Sequence, residues 1–167
     1  ILADEQTEFG GWLLAENDTK IDDKDASGWI AKIVAELAAM PEMTLLPRTT
    51  VFGYMDHNYL TLVERVTDHM EERPAHLPRQ RLRKVRASQT VLAQGAHERP
   101  LVFSGNDLPG VMLAGAVRHF INRYGVLPGN RAIVVTNNDD DYRTAINLNE
   151  AGANVIVDEL RLCASGP

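Results

Sequence analysis

The sequence predicts an α/β fold that combines a meander of antiparallel strands with a strand-helix-strand unit of parallel strands. Four short β-type runs occupy residues 43–88, and turn-forming residues separate the later three. Further along, apolar runs at 132–136 and 154–158 flank a helical pattern at 140–151 that stops before Gly152. This is the length of one βαβ unit, about thirty residues, whose crossover is right-handed.

The first element is the end of a strand at residues 1–3, followed directly by Asp4 and Glu5. In a nucleotide-binding βαβ unit, a carboxylate at the end of the second strand accepts hydrogen bonds from ribose hydroxyls. The alternative is a solvated strand end. Gly10 and Gly11 then supply either a loop where the backbone approaches a ligand closely or residues with positive φ. The strand at 1–3 is expected to begin upstream of Ile1.

A helix is predicted over residues 28–40, with Asp25 or Ser27 as its N-cap and Pro41 as its stop. Its apolar residues have the spacing of an amphipathic helix. They are Trp29, Ile30, Ile33, Val34 and Leu37.

The β-type runs that follow lie at 43–46, 49–55, 59–66 and 80–88, and the last three predict an antiparallel meander. Basic residues in the last run alternate with Leu82 and Val85, which indicates the solvated face of an edge strand. The net charge of −6 argues against a nucleic-acid partner for this run.

The run at 90–93, bounded by Gly95, is predicted to be a parallel strand buried on both faces. Ligands of open parallel sheets bind beyond the carboxyl ends of strands, so Gly95, Ala96 and His97 are expected near a cofactor. A plain strand-to-loop turn is the alternative. We expect this strand to join a partial first dinucleotide-binding domain with the β-meander (1–105) to a partial second Rossmann-like domain (106–167).

The second part begins with a predicted helix over 111–124 that stops at Gly125. A dinucleotide fingerprint would place glycines after Thr136, but residues 137–141 are Asn-Asn-Asp-Asp-Asp. These acids are expected to cap the free amides of the next helix and to repel a pyrophosphate. Metal binding by this loop is the less favoured alternative, and no metal site is predicted.

Composition narrows the class of protein further. The chain has 167 residues, of which 44% are hydrophobic, and no apolar run approaches the ~20 residues of a membrane span. The single cysteine, Cys163, excludes an internal disulfide or a thiolate metal cluster and favours a reducing, cytoplasmic location. The five histidines show neither metal-ligand spacing nor a nucleophile-base-acid set, so no catalytic residue is predicted.

Several stretches together resemble the alpha subunit of heterotetrameric sarcosine oxidase, in its N-terminal dinucleotide-binding region. They are ILADEQTEFGGWLL, LLPRTTVFGYMDHN, VLAQGAHERPLVF, PGVMLAGAVRHFINRYGV and VVTNNDDDYRTA. The family is of the two-dinucleotide-binding flavoprotein class, and the resemblance covers the whole sequence. It implies a partial Rossmann-like FAD/NAD(P)-binding domain with an antiparallel β-meander, plus a βαβ half of a second Rossmann-like unit.

The resemblance also implies an activity and its cofactors. The family demethylates sarcosine oxidatively to glycine, linked to tetrahydrofolate, with FAD and FMN in the complex, and its alpha subunit binds NAD in this region. Eight residues would then bind NAD or line its site: Asp4, Glu5, Gln6, Gly10, Gly11, Trp12, Val51 and Gly95. Segment 4–6 would hold the adenosine ribose, segment 10–12 would line the cofactor, and Val51 would meet the adenine through its backbone. Other subunits of the oxidase would be its partners.

The sequence departs from the family in three places. The glycine-rich phosphate loop would precede Ile1, so the 167 residues alone are expected not to bind NAD measurably. Gln94 stands where the family usually has Thr, and the folate domain is absent, so we expect a piece of a larger subunit. Two other functions stay open: an FAD-binding subunit of a related amine or opine dehydrogenase or cyanide synthase, and a non-catalytic scaffold that docks partner subunits.

Overall fold

A computed structural model describes residues 1–161, so Cys163 and the predictions that rest on it lie outside the described residues. The chain divides into two compact units. The first comprises Ile1–Gly11 with Lys20–Gly95, and the second comprises Trp12–Thr19 with Ala96–Pro167. This division concerns packing, and the assignment of 1–105 and 106–167 to two dinucleotide-binding domains stays a prediction. No helix within residues 1–161 is long and apolar enough to cross a membrane.

The first unit opens with a parallel pair of strands joined through a helix. Strand β1 (Leu2–Ala3) pairs with β4 (Leu45–Leu46), and between them lie a hairpin, β2 (Lys20–Ile21) and β3 (Lys24–Asp25), and helix α1 (Ala26–Ala39). Asp25 is the N-cap of α1, because its carboxylate accepts a hydrogen bond from Gly28 N at 2.8 Å. The predicted apolar stripe of the helix is buried or half-buried.

The predicted meander follows as β5 (Thr49–Met55), β6 (Tyr59–Arg65) and β7 (Gln80–Arg86), in that order across the sheet. Its core consists of Leu60 and Leu62 with Leu46 of β4. Strand β7 is an edge strand, as predicted, and its Lys84 and Arg86 are exposed, but the prediction of a solvated basic face is wrong for Arg81 and Arg83. Arg81 and Arg83 are half-buried on the face of Val85, because both pair with Glu64 of the central strand, and Leu82 is largely exposed.

The prediction of a strand at 90–93 is wrong. Residues 87–113 contain neither helix nor strand, and Val91 and Leu92 are 88% and 59% exposed. An apolar run forms a buried parallel strand only where neighbouring strands accept its backbone hydrogen bonds. No strand within residues 1–161 pairs with this run. The predicted joining strand is therefore an irregular, exposed segment.

The second unit contains the predicted βαβ element. Strand β8 (Arg131–Thr136), helix α3 (Asp140–Glu150) and the parallel strand β9 (Asn154–Glu159) enclose a core of Val134, Ala145, Leu148 and Ala153. The helix predicted from 111 begins three residues later as α2 (Ala114–Arg118) and continues as a π-helix, His119–Arg123. The Glu98 carboxylate lies at the start of this helix and accepts a hydrogen bond from Gly115 N at 2.9 Å.

Candidate functional site

Asp4 follows β1 at the carboxyl end of the parallel pair. Its backbone continues the pairing, since Asp4 N donates to Leu46 O at 3.0 Å and Asp4 O accepts from Thr49 N at 2.7 Å. Its side-chain Oδ1 accepts a hydrogen bond from Gln6 N at 2.8 Å. A carboxylate offers about four acceptor positions, so this turn leaves Asp4 with capacity to accept hydrogen bonds from a ligand.

Two arginines fix the loop that carries Asp4. Arg48, which follows β4 with φ of 52°, donates its backbone N–H to Gln6 O at 2.8 Å. The guanidinium of Arg65, at the end of β6, donates through Nη2 to Glu5 O. Arg65 N also donates to Arg48 O at 2.9 Å. The loop after β1 is thus held by the loop after β4 and by the meander.

A cavity of about 240 Å³ opens beside this loop. Thr7, Arg48, Arg65, Asp68 and His69 line it. The ion pairs among residues 1–161 use other arginines, so no carboxylate pairs with Arg48 or Arg65. Two arginines without a carboxylate partner and one histidine therefore line the same cavity as a single acidic side chain, which makes the cavity suitable for an anion.

Asp68 is the acidic member of this group. A hydrogen bond from Gln80 Nε2 at 2.9 Å, together with the charges of Arg79, Arg65 and His69, holds the pKa of Asp68 below its usual value against the opposing effect of burial. Its other oxygen, Oδ1, is buried and has no hydrogen-bond partner. Asp68 is therefore ionised at neutral pH and reduces the net positive charge of the cavity.

The structure places the predicted segment 10–12 in two units. Gly10 and Gly11 belong to the first unit and have φ of 139° and 54°, so both take backbone conformations that favour glycine. Trp12 belongs to the second unit, where its ring contacts His119 edge-on at 5.0 Å between ring centroids. A Cβ on Gly115 would lie 2.1 Å from the Trp12 ring, so this glycine makes room for the indole. The predicted roles of segment 10–12 toward a cofactor stay predictions.

Val51 and Gly95 occupy different settings in the first unit. Val51 lies on β5 opposite Leu62, next to an irregularity of the pairing between Val51 and Gly53. Because β5 is an edge strand, some of its backbone groups point away from the sheet and can meet a ligand. Gly95 lies in the irregular segment with φ of 71°. The structure tests neither predicted contact with a dinucleotide.

In the second unit, the acids after β8 do not cap helix α3 as predicted. The amide of Asp140 donates instead to Asn138 Oδ1 at 2.9 Å, and Asp139, at the N-cap position, makes no capping bond with its side chain. Arg161 pairs with Asp139 at 2.7 Å, and the Thr136 hydroxyl lies 3.0 Å from Asp141 Oδ2. Asp139 is engaged by a guanidinium, which supplies a stronger, charge-assisted hydrogen bond than a helix amide.

Arg118 is the central cation of this second cluster. Its guanidinium forms two hydrogen bonds with Asp140 and lies 3.6 Å from Glu16 Oε1. The Cζ of Arg118 also lies over the Trp12 ring, 5.6 Å from the ring centroid. Burial lowers the pKa of Arg118, but the bonds and charges of Asp140, Glu16 and Glu98 outweigh that effect and raise it. Carboxylate oxygens of Glu98, Asp140 and Asp141 lie within 4.8 Å of one another, as in a cation site, but each already has a hydrogen-bond partner.

Sequence reasoning missed the basic side of the first-unit site. Arg48 could have been found from the sequence, since it follows the β-type run 43–46 just as Asp4 follows the run 1–3. Arg65 lies 60 residues from Glu5, and no local pattern connects them. Only the pairing of β1 with β4 and the return of the meander bring these residues together.

Comparisons with known proteins give two consistent results, although no family model matches the chain. The sarcosine oxidase alpha chain of Corynebacterium sp. (strain P-1) is 47% identical over 99% of the chain, and that of Rhizobium meliloti (strain 1021) is 47% identical over 93%. The chain spans only 17% and 16% of these two relatives. A polypeptide of the opine oxidase of Agrobacterium tumefaciens (strain Ach5) is 37% identical over 42% of the chain and 14% of its own length. The resemblance to sarcosine oxidase alpha subunits is confirmed.

The solved structure of L-proline dehydrogenase from P. horikoshii is also similar, with a TM-score of 0.73 at 20% identity. The match covers 99% of this chain and 31% of the dehydrogenase chain. At this identity the likeness concerns the fold alone, and it confirms the predicted α/β class.

Proposed function

We propose that this chain is the dinucleotide-binding part of the alpha subunit of a sarcosine oxidase and that it binds NAD through the loop after β1. The observation that carries the proposal is Asp4, which stands at the carboxyl end of a parallel strand in a loop fixed by Arg48 and Arg65. A carboxylate in this position accepts hydrogen bonds from the hydroxyls of the adenosine ribose. The similarity to sarcosine oxidase alpha subunits over nearly the whole chain supports it.

Each predicted site residue has a distinct task in this proposal. Asp4 accepts from the ribose, and Glu5 and Gln6 shape the turn around it. Val51 offers its backbone to the adenine. Gly10 and Gly11 allow close approach of the backbone, while the contributions of Trp12 and Gly95 rest on the family resemblance. None of these residues carries out the chemistry.

The whole enzyme would oxidise sarcosine to glycine, and other parts of it would hold FAD, FMN and tetrahydrofolate. The relatives are named as alpha subunits, which supports the proposal of partner subunits in a heterotetramer. In this assembly NAD is a bound and non-catalytic cofactor, located in the cytoplasm with the rest of the enzyme.

Asp4→Asn in the full-length polypeptide tests the ribose contact. Asparagine keeps an oxygen for the bond from Gln6 N but removes the charge. We expect NAD affinity, measured by calorimetric titration, to fall about ten- to hundredfold, since a hydrogen bond to a charged group contributes about 1.5–3 kcal/mol. Sarcosine turnover by the enzyme assembled with its partner subunits should persist, because NAD takes no part in it.

Glu42→Gln is the matched control, since it removes one exposed carboxylate from the same unit. It should leave NAD affinity unchanged. Equal NAD binding by the Asp4 variant and the wild-type protein would refute the ribose assignment.

A second candidate is favoured by the similarity to the opine oxidase polypeptide. In that case the same loop would hold the ribose of FAD rather than that of NAD. The visible absorbance spectrum of the purified full-length polypeptide separates the two: flavin absorbance that disappears in the Asp4 variant supports FAD, and a colourless protein that binds NAD supports the first proposal.

A further inference from the structure

The cavity lined by Thr7, Arg48, Arg65, Asp68 and His69 has donors that the ribose contact does not use. The Arg65 guanidinium is partly engaged, because one of its nitrogens donates to Glu5 O. The Arg48 guanidinium has no carboxylate partner within residues 1–161, although the residue is half-buried. Its backbone, in contrast, holds the loop through Gln6 O.

The donor set matches a phosphate group in charge and in hydrogen-bonding capacity. Guanidinium groups bind phosphate oxygens through paired, charge-assisted hydrogen bonds, and a threonine hydroxyl and a histidine ring supply further donors. With Asp68 ionised, the two arginines still leave the cavity with a net positive charge. A volume of about 240 Å³ accommodates a phosphate with bound water but is small for a whole nucleotide.

We propose that this cavity binds a phosphate group, presented beside the loop that carries Asp4. One source is a phosphate attached to the adenosine ribose, as in the 2′-phosphate of NADP, which an arginine near the ribose binds in place of the hydroxyl contact that Asp4 makes with NAD. A free phosphate ion is the other source of the same chemistry. The choice of ligand rests on the proposed function, whereas the anion site itself rests on the cavity alone.

Arg48→Gln in the full-length polypeptide is the direct test, because it removes the guanidinium while the backbone bond to Gln6 remains. Calorimetric titration would use NAD, NADP and inorganic phosphate as separate probes. We expect binding of NADP or of phosphate to weaken about tenfold or more, with NAD affinity unchanged. Lys84→Gln, which removes an exposed charge from β7 of the same unit, is the control and should change none of the three.

The outcomes distinguish the two sources of phosphate. A wild-type preference for NADP over NAD that is lost in the Arg48 variant assigns the site to the ribose phosphate. Binding of inorganic phosphate that is lost in that variant, without any NADP preference, assigns it to the free ion. Phosphate binding without NAD binding would support this inference while refuting the proposed function. If the Arg48 variant binds NADP and phosphate like the wild-type protein, the inference is wrong, even where Asp4→Asn weakens NAD.

Discussion

Arg118 is a charged residue that the fold buries, with only 4% of it exposed. A buried guanidinium is tolerated only where carboxylates surround it, and Asp140, Glu16 and Glu98 do so here. Asp4 and Arg48 differ, since each keeps hydrogen-bonding capacity that the fold does not use. Unused capacity at a strand end indicates a ligand site. A buried cation enclosed by three carboxylates indicates a structural role, even though the Nε of Arg118 has no hydrogen-bond partner.

Arg118→Met should therefore act on stability rather than on ligand binding. It keeps the apolar stem but removes the cation beside Glu98 and Asp140, and it leaves Glu16 with Arg143 alone. We expect local unfolding around α2 to become easier by about 2–3 kcal/mol, below the usual range for a broken buried pair because Asp140 is half exposed. Hydrogen exchange of peptides from α2 and α3 in the full-length polypeptide measures this.

Arg131→Met serves as the comparison for Arg118, because Arg131 is an exposed arginine at the start of β8. Its exchange rates should match those of the wild-type protein. If exchange around α2 were as slow in the Arg118 variant as in the wild-type protein, the cluster would not stabilise the unit.

At the scale of elements, the meander is held by an ion pair between strands as well as by its apolar core. Glu64 of β6 lies 3.0 Å from Arg81 and 2.7 Å from Arg83 of β7. Burial raises the pKa of Glu64, but the bonds and charges of Arg83 and Arg81 outweigh it and lower the pKa. Glu64 therefore stabilises the folded state wherever it is ionised.

This shift predicts a pH-dependent difference between the wild-type protein and Glu64→Gln. A group whose pKa is lowered on folding contributes stability above its unfolded pKa and loses it as pH falls through the folded value. We expect the wild-type protein to have the higher thermal midpoint at pH 7, and the difference to shrink as pH falls from 7 through and below 4.5, the ordinary pKa of a glutamate. A constant difference across this range, or one that Glu42→Gln reproduces, would contradict the role of the ion pair.

The elements predicted correctly are those whose partners lie close in sequence. The meander and the βαβ unit pair neighbouring runs, and α1 carries its cap and its apolar stripe within itself. The run at 90–93 has the composition of a buried strand, but composition does not supply the neighbouring strand that burial requires. The candidate site follows the same rule, since Asp4 was predicted from its own strand and Arg65, distant in sequence, was not.

At the scale of the whole molecule, the second unit has a parallel sheet of which one face carries α3 and the other carries exposed apolar residues. Ile133 of β8 and Ile156 of β9, which are paired neighbours on that face, are 69% and 65% exposed. Parallel sheets in proteins are covered on both faces. We therefore predict that this face is covered in the intact protein.

Cysteine labelling in the full-length polypeptide tests this cover. In a Cys163→Ser background, Ile133→Cys should react slowly with a thiol reagent, because a covered strand residue is accessible only during local opening. Ser104→Cys, at an exposed loop position of the same unit, should react rapidly. Equal rates at the two positions would show that the face is open in the whole protein. Slow labelling at residue 133 together with rapid labelling at 104 would mean that the apolar surface of this sheet is part of a covered core in the intact protein.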